Sequence, residues 1–265
     1  MSKNVNRYTR IIETIFFNHY QEGDTEVAFD RSEITQAAQD LDIALPKNLG
    51  DLVYTFRYRG MLPESITSKA PVGYEWVLRP AGRARYRLDL ARRINIAPSQ
   101  ALTETKIPDA TPGIITRYAL NDEQALLAKL RYNRLIDVFT GLTCYSLQNH
   151  LRTTAPGVGQ VETDEVYIGV DKRGAHYVMP VQAKGVNEKI GIVQIEQDLA
   201  MCAAKFPHLI CRPIAAQFMT DQVIALFELE QTSEGTTISA ERHYRLVQAH
   251  ELSLEELRTY QQRLI

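Results

Sequence analysis

The sequence predicts a mixed α/β fold with one buried sheet, preceded by a smaller, mainly helical module. Three observations lead there. Residues 1–95 alternate three short helix-period segments with a short strand and a charged hairpin. Residues 95–113 then shift to Pro, Thr, Ala and single charges, the composition of a boundary. Beyond it helix and strand patterns alternate, and two of the strand patterns are apolar on both faces, as central strands are. The expected division is a helical module over residues 1–95, a linker over 96–112 and an α/β core over 113–265.

Arg7 to Tyr20 reads as a helix, with Tyr8, Ile11, Ile12, Ile15, Phe16 and His19 at helical spacing. Gly23-Asp24 ends it, and Glu26 to Asp30 alternates like a strand. Asp30 or Ser32 can cap a second helix, Glu33 to Leu41. Pro46 precedes a third, Asn48 to Arg59, whose apolar side carries Leu49, Leu52, Val53 and Phe56. Its other side offers Lys47, Asn48, Asp51, Thr55, Arg57 and Arg59. A β-hairpin follows, Gly73 to Arg79 and Arg83 to Leu88, turning at Pro80-Ala81-Gly82. This order resembles a winged helix-turn-helix. The resemblance implies a third helix in the major groove of duplex DNA and a wing along the phosphates. Lys47, Asn48, Arg57, Arg59, Arg83, Arg85 and Arg87 are then the expected DNA contacts, the last three on one face of a strand at period two.

Past the boundary, Asn121-Asp122-Glu123 opens a helix running through Leu126, Leu127 and Leu130 toward Val138. Gly141 interrupts it, and Tyr145 to Leu151 reads as a further short helical segment. Val161–Asp171 and His176–Lys184 read as strands, and Glu188 to Phe206 as a helix stopped by Pro207. Leu209–Met219 and Val223–Leu229 are the apolar strands, and Ser253 with Glu256 forms a capping box for a last helix ending near Arg263.

The chain has 265 residues, 45% of them apolar, with no run near the roughly 18 consecutive apolar residues of a membrane span. The N-terminus lacks a secretory h-region, and three widely spaced cysteines show no zinc-like pairing, so a reduced cytoplasmic interior is expected. The net charge of -2 is unevenly spread. Residues 51–100 hold nine Lys/Arg against four Asp/Glu, a local +5, which a phosphate-binding surface requires.

The segment from Gln160 to Lys184 carries the chemistry. Lys172-Arg173-Gly174 fits a three-residue hairpin loop with Gly left-handed, which pairs Asp171 with Ala175. Counting outward, Asp164 falls opposite Gln182 and Glu162 opposite Lys184. Period-two alternation then projects all four polar side chains from one face. A carboxylate and a second oxygen ligand can hold Mg²⁺, which lowers the pKa of a bound water and neutralises phosphate charge. A nearby lysine can stabilise the transition state or position the attacking water.

An Asp on one strand, followed by Gln182-Ala183-Lys184 near the end of the next, resembles the PD-(D/E)XK nuclease superfamily, which includes many type II restriction endonucleases. The resemblance covers about residues 113–230. It implies a restriction-endonuclease-like mixed sheet flanked by helices, and hydrolysis of DNA phosphodiesters with Mg²⁺, Mn²⁺ being able to substitute. Asp164 and Gln182 are the implied metal ligands, with the Ala183 carbonyl as a third, and Lys184 the catalytic lysine. Thr163 stands where a Pro is usual, and Gln182 where Glu is commoner. One negative charge fewer calls for another carboxylate. Glu162 is the first candidate, and Asp137 is the nearest carboxylate on the preceding helix, while the closer segment offers Gln148, Asn149 and His150.

His19 reads as a packed core histidine, and His150 and His176 flank the site without metal-ligand spacing. Gln194, Gln197 and Asp198 fit an exposed polar helix face, and Trp76 a packed anchor of the wing. The expected protein is thus a Mg²⁺-dependent endonuclease of double-stranded DNA, in restriction or defence against foreign DNA. It is expected to be a homodimer, because cutting two strands takes two sites, with a partner methyltransferase or other defence-system protein as candidate companion. The rival expectation is a DNA-binding regulator whose nuclease-like domain is catalytically inactive.

Overall fold

The computed structural model describes residues 3–45, 48–59, 61–119, 123–186, 188–219, 222–233 and 235–263. The N-terminal part runs α1 (Lys3–His19), β1 (Glu26–Asp30), α2 (Arg31–Asp40), α3 (Gly50–Tyr54), α4 (Glu64–Thr67), β2 (Tyr74–Pro80) and β3 (Arg85–Arg92). The third helix is shorter than its apolar pattern predicts, because Thr55–Arg59 widens into a π turn. The three strands form an antiparallel sheet in the order β1-β3-β2. Its apolar side closes on α1 and α2 around Phe16, Ile12, Ile34, Leu52, Trp76 and Leu88. Trp76 is the packed anchor expected of it, meeting Phe16 edge-on at 5.1 Å. His19, expected in the core, is instead at the surface, its Nε2 2.5 Å from Glu33 Oε2. The imidazole sits at the C-terminal end of α1, where a carboxylate on α2 is available to it.

The rest of the chain is mixed α/β. It contributes β4 (Glu104–Pro108), α5 (Gly113–Tyr118), α6 (Glu123–Tyr132), α7 (Leu135–Thr140), β5 (Thr143–Ala155), β6 (Gly159–Val170) and β7 (His176–Lys184). There follow α8 (Ile192–Lys205), β8 (Ile210–Cys211), β9 (Ile214–Phe218), β10 (Val223–Thr232), β11 (Gly235–Val247) and α9 (Leu254–Gln262). Eight strands make one mixed sheet in the order β4-β11-β10-β9-β7-β6-β5, with β8 beside β7. β7 and β9 are parallel, as are β11 and β4; the other neighbours along that path are antiparallel. One layer of core joins α6 and α7 to this sheet through Leu126, Leu127, Leu130, Tyr167, Met179 and Val181. On the other side Met201 and Cys202 of α8 pack with Val161, Val166 and Val178. β9 is buried at all five positions, as its apolar composition predicts for a central strand. Among the described residues no helix is long and apolar enough to cross a membrane.

Two expectations are corrected, and one strand was not expected. Tyr145–Leu151, read as helical, lies in β5, where backbone pairing to β6 overrides a weak local pattern. Residues 96–112, read as a linker, include β4, which pairs with β11, while Ile96 is buried in an apolar cluster with Phe227 and Ala215. β11 itself has no counterpart in the sequence reading. Its charged and half-exposed residues hide the alternation that a strand needs to be recognised.

The N-terminal sheet rests on α8. Arg79 of β2 donates to both carboxylate oxygens of Glu196, at 2.8 and 2.7 Å, and to Asp89 at 3.1 Å. Tyr58, in the π turn, donates to Gln197 Oε1 at 2.7 Å. Burial pushes that hydroxyl up to about 12, so it remains a neutral donor.

Candidate functional site

The β6–β7 hairpin has the predicted register. Val170 pairs with His176 and Glu165 with Val181, each pair following from an Asp171–Ala175 closure in which the Asp171 N–H donates to the Ala175 carbonyl at 3.1 Å. Gly174, at φ +83°, supplies the left-handed residue that the loop demands. The ladder then stops at Glu165–Val181, one residue short of Asp164.

At that point the strand's alternation slips. The Thr163 hydroxyl donates to Asp198 on α8, whereas Glu165 is bound by Arg131 on α6, at 2.9 Å. Residues two apart would share a face in a regular strand, so Asp164 sits at a local irregularity. The neighbouring strand marks the same place. Asn149 pairs with Glu165 and Leu151 with Thr163, which leaves His150 across from Asp164 at φ +52°. Freed from the ladder, one Asp164 carboxylate oxygen accepts the Ala183 N–H at 2.8 Å.

Around Asp164 gather Glu123, Lys184 and Glu162. The Lys184 side chain is 12% exposed and its ammonium ion-pairs with Glu123, the first described residue of α6. Burial, reinforced by the charges of Glu123 and Glu162, raises Asp164 to about 6 despite the Ala183 N–H and Lys184, which act the other way. Burial alone would depress Lys184, but Glu123, with Asp164 and Glu188 beyond it, holds its ammonium above the ordinary value. Negative charge therefore exceeds positive charge in a half-dry place, a situation a cation relieves.

Gln182 does not join this group. It is 1% exposed and belongs to a buried network with α8: its Nε2 donates to Asp198 Oδ2 at 2.8 Å and to the Glu162 carbonyl at 3.2 Å. Its Oε1 accepts from Gln194 Nε2 at 3.2 Å. The expectation that Glu162, Asp164, Gln182 and Lys184 share one face is thus corrected. The slip at Asp164 rotates the acidic residues away from the α8 side, on which Gln182 is held. Asp198, expected at an exposed helix face, is fully buried, and burial raises it to about 7 against the hydrogen bonds from Thr163 and Gln182. Gln194 and Gln197 likewise face inward contacts rather than solvent.

Glu123 is the carboxylate that sequence reasoning missed, although Asn121-Asp122-Glu123 was visible as a helix start; residues 121 and 122 lie outside the described residues. Asp137 is not its equivalent, being held by Arg134 and by the Cys144 N–H at 2.9 Å. Glu162 lies beside the group but is itself engaged, its Oε1 accepting from Arg152 at 3.0 Å and lying 3.2 Å from His150 Nε2. Among the described residues no three His, Cys, Asp or Glu side chains form a preformed metal cage. The donors nevertheless fit Mg²⁺, a hard cation that needs few protein oxygens and keeps several waters. Two carboxylates, Asp164 and Glu123, are present, and the Ala183 N–H that meets Asp164 implies that its carbonyl faces the same strand edge.

The expected DNA-contacting residues are less free than predicted. Arg85 pairs with Asp30 at 3.2 Å, and Arg87 with Glu26 and Asp89 at 3.4 and 2.9 Å, so acids of β1 and β3 offset the basic block. Arg57 folds over the Tyr58 ring at 4.9 Å, its Nε and Nη2 buried with no hydrogen-bond partner among the described residues, and burial depresses its pKa. Asn48 caps the Gly50 N–H at 3.0 Å, and Arg83 is exposed in the β2–β3 turn. Lys47 and the side chain of Arg59 lie outside the described residues. No protein-family model, curated protein or solved structure matches the chain.

Proposed function

We propose that this protein is a metal-dependent endonuclease that hydrolyses phosphodiester bonds of DNA, with a restriction-endonuclease-like core and a winged-helix module before it. The observation that carries the reading is the convergence of Asp164, Glu123 and Lys184 where the β6–β7 ladder opens. Two carboxylates and a lysine at the splayed end of a central hairpin suit phosphate chemistry. A solvated hairpin face has no need to hold a lysine at 12% exposure. The helix and strand order of the N-terminal part, with β3 between β1 and β2, supports the winged-helix reading.

Asp164 and Glu123 would hold a Mg²⁺ or Mn²⁺ ion. When bound, the ion supplies an acidified water and neutralises charge on the phosphate. Lys184 provides the positive charge that the pentacovalent oxyanion needs, in a place where water screens it little. The Ala183 N–H fixes one Asp164 oxygen and so orients the other. Gln182 acts at a distance: by tying β7 to Asp198 and Gln194 it holds the strand that presents Ala183 and Lys184. Restriction or defence against foreign DNA, a homodimeric state and a methyltransferase companion belong to the same proposal through the superfamily resemblance.

Purified protein should cleave plasmid or phage DNA with Mg²⁺ or Mn²⁺. Lys184→Ala should lose on the order of 10²–10³ in rate while still binding DNA. A second reading, a DNA-binding regulator with an inactive core, is favoured by Gln182 standing outside the acidic group. It prevails if wild type and Lys184→Ala bind DNA alike and are equally inert with both metals.

A further inference from the structure

Beside the acidic group lie an arginine and a histidine that the proposed hydrolysis does not use. β5 and β6 continue together past the point where β7 leaves, Leu151 pairing with Thr163 and Arg152 with Glu162. Leu151 is turned to the apolar cluster that includes Met201 and Cys202, as the Thr163 hydroxyl is turned to Asp198. Residues directly across from each other share a face, so Arg152 and Glu162 project together from the opposite side of the ribbon, next to Asp164. The ion contacts agree: a single Glu162 oxygen lies 3.0 Å from Arg152 Nη2 and 3.2 Å from His150 Nε2. His150 reaches this position with a backbone at φ +52°, an uncommon conformation for a residue with a side chain.

We propose that Arg152 and His150 form a subsite for a backbone phosphate adjacent to the scissile one, and that Glu162 occupies this subsite until nucleic acid arrives. The inference rests on the nuclease reading and names how that site grips its substrate. The side chains of Arg152 and His150 are 60% and 47% exposed, and that of Glu162 33%, so the resting ion pairs are weak and easily exchanged. A phosphodiester offers two oxygens to a guanidinium fork whose present partner is a single carboxylate oxygen. The placement explains why Arg152 and His150 lie there. A polyanion entering beside Asp164, Glu123 and Glu162 meets like charge, and a neighbouring phosphate must be met by positive charge that the acids do not cancel. Glu162 is then a placeholder for phosphate, in contrast to the metal ligand expected from the sequence.

The test is equilibrium binding of a fluorescent duplex to the full chain with Ca²⁺ in place of Mg²⁺, measured over a range of salt for wild type, Arg152→Gln, His150→Gln, Glu162→Gln and Arg152→Gln/Glu162→Gln. Arg152→Gln should weaken binding on the order of tenfold and reduce the slope of log K against log salt by about 0.9, the signature of one lost phosphate contact. His150→Gln should weaken binding in the same direction and by less. Glu162→Gln should tighten it, and that gain should shrink in the Arg152→Gln background, because the residue released is the one removed. An unchanged slope in Arg152→Gln overturns the subsite. So does an equal gain from Glu162→Gln in both backgrounds, which is mere removal of negative charge. Wild type that binds no duplex at low salt overturns the nuclease reading and the subsite with it, whereas binding with normal Arg152→Gln behaviour overturns the subsite alone.

Discussion

Changing Gln182 to glutamate installs the residue commoner at this position in the resembled superfamily, and the structure predicts that it damages the protein. The amide nitrogen of Gln182 is a donor to Asp198 Oδ2 at 2.8 Å and to the Glu162 carbonyl at 3.2 Å. Glutamate has no such donor when ionised, so two acceptors lose their partner where Gln182 is 1% exposed and Asp198 is fully buried. At about 1–3 kcal/mol for each of the two acceptors left bare, the cost is roughly 2–6 kcal/mol near pH 8. That is a large part of a typical domain stability of about 5–15 kcal/mol. The sign with pH follows from the proton. Burial already raises Asp198 to about 7, and a second buried carboxylate raises the pair further. A carboxyl whose folded pKa lies above its unfolded value loses stability as pH rises from the unfolded pKa through the folded one. The deficit of Gln182→Glu should therefore be smallest near pH 5, where a shared proton restores one hydrogen bond, and widen through pH 7. Urea unfolding of both proteins at about pH 5.5 and about pH 8 measures it. If Gln182→Glu is as stable as wild type near pH 8 and binds Mn²⁺ more tightly, the side chain faces the metal and the network described here is wrong.

Three further outcomes follow from the geometry. Asp164, raised to about 6 chiefly by burial, must be ionised to hold a cation, so cleavage should fall about tenfold per pH unit on the acid side of its pKa. A rate profile flat from pH 7 to about pH 4.5 contradicts this role. Gly174→Ala places a Cβ at φ +83° and should cost about 1–2 kcal/mol in urea unfolding, without changing the affinity for Mn²⁺. Arg79→Ala leaves Glu196 and Asp89 without the guanidinium that joins β2 to α8, and should cost about 1–3 kcal/mol; loss below about 0.5 kcal/mol shows the contact to be incidental.

Much of the fold was legible locally. The capping box at Ser253 and Glu256 is present, with the Ser253 N–H donating at 2.9 Å to Glu256 and its hydroxyl accepting at 3.1 Å. Helix periods located α1, α2 and α6 because each has one continuous apolar face. Arg85 and Arg87 were counted as free charge in part because Asp30 and Glu26, 55 and 61 residues away in sequence, come into range only when β1 pairs with β3.

The candidate site divides in the same way. Sequence alone determined the register of the β6–β7 hairpin, since a three-residue turn with a left-handed glycine leaves a single pairing and alternation carries it outward. That pairing holds as far as Glu165–Val181, and the expected pairs Asp164–Gln182 and Glu162–Lys184 lie beyond the end of the ladder. Tertiary structure decided which side chains meet there. The slip of alternation at Asp164, the inward turn of Gln182 toward Asp198, and the arrival of Glu123 from 61 residues away all depend on how α6 and α8 pack on the two faces of the sheet. A turn propagates its geometry through successive backbone hydrogen bonds, so its consequences can be counted along the chain. The partner of a buried polar group is chosen by whichever donors and acceptors packing brings within about 3 Å, and that choice is not encoded in local spacing.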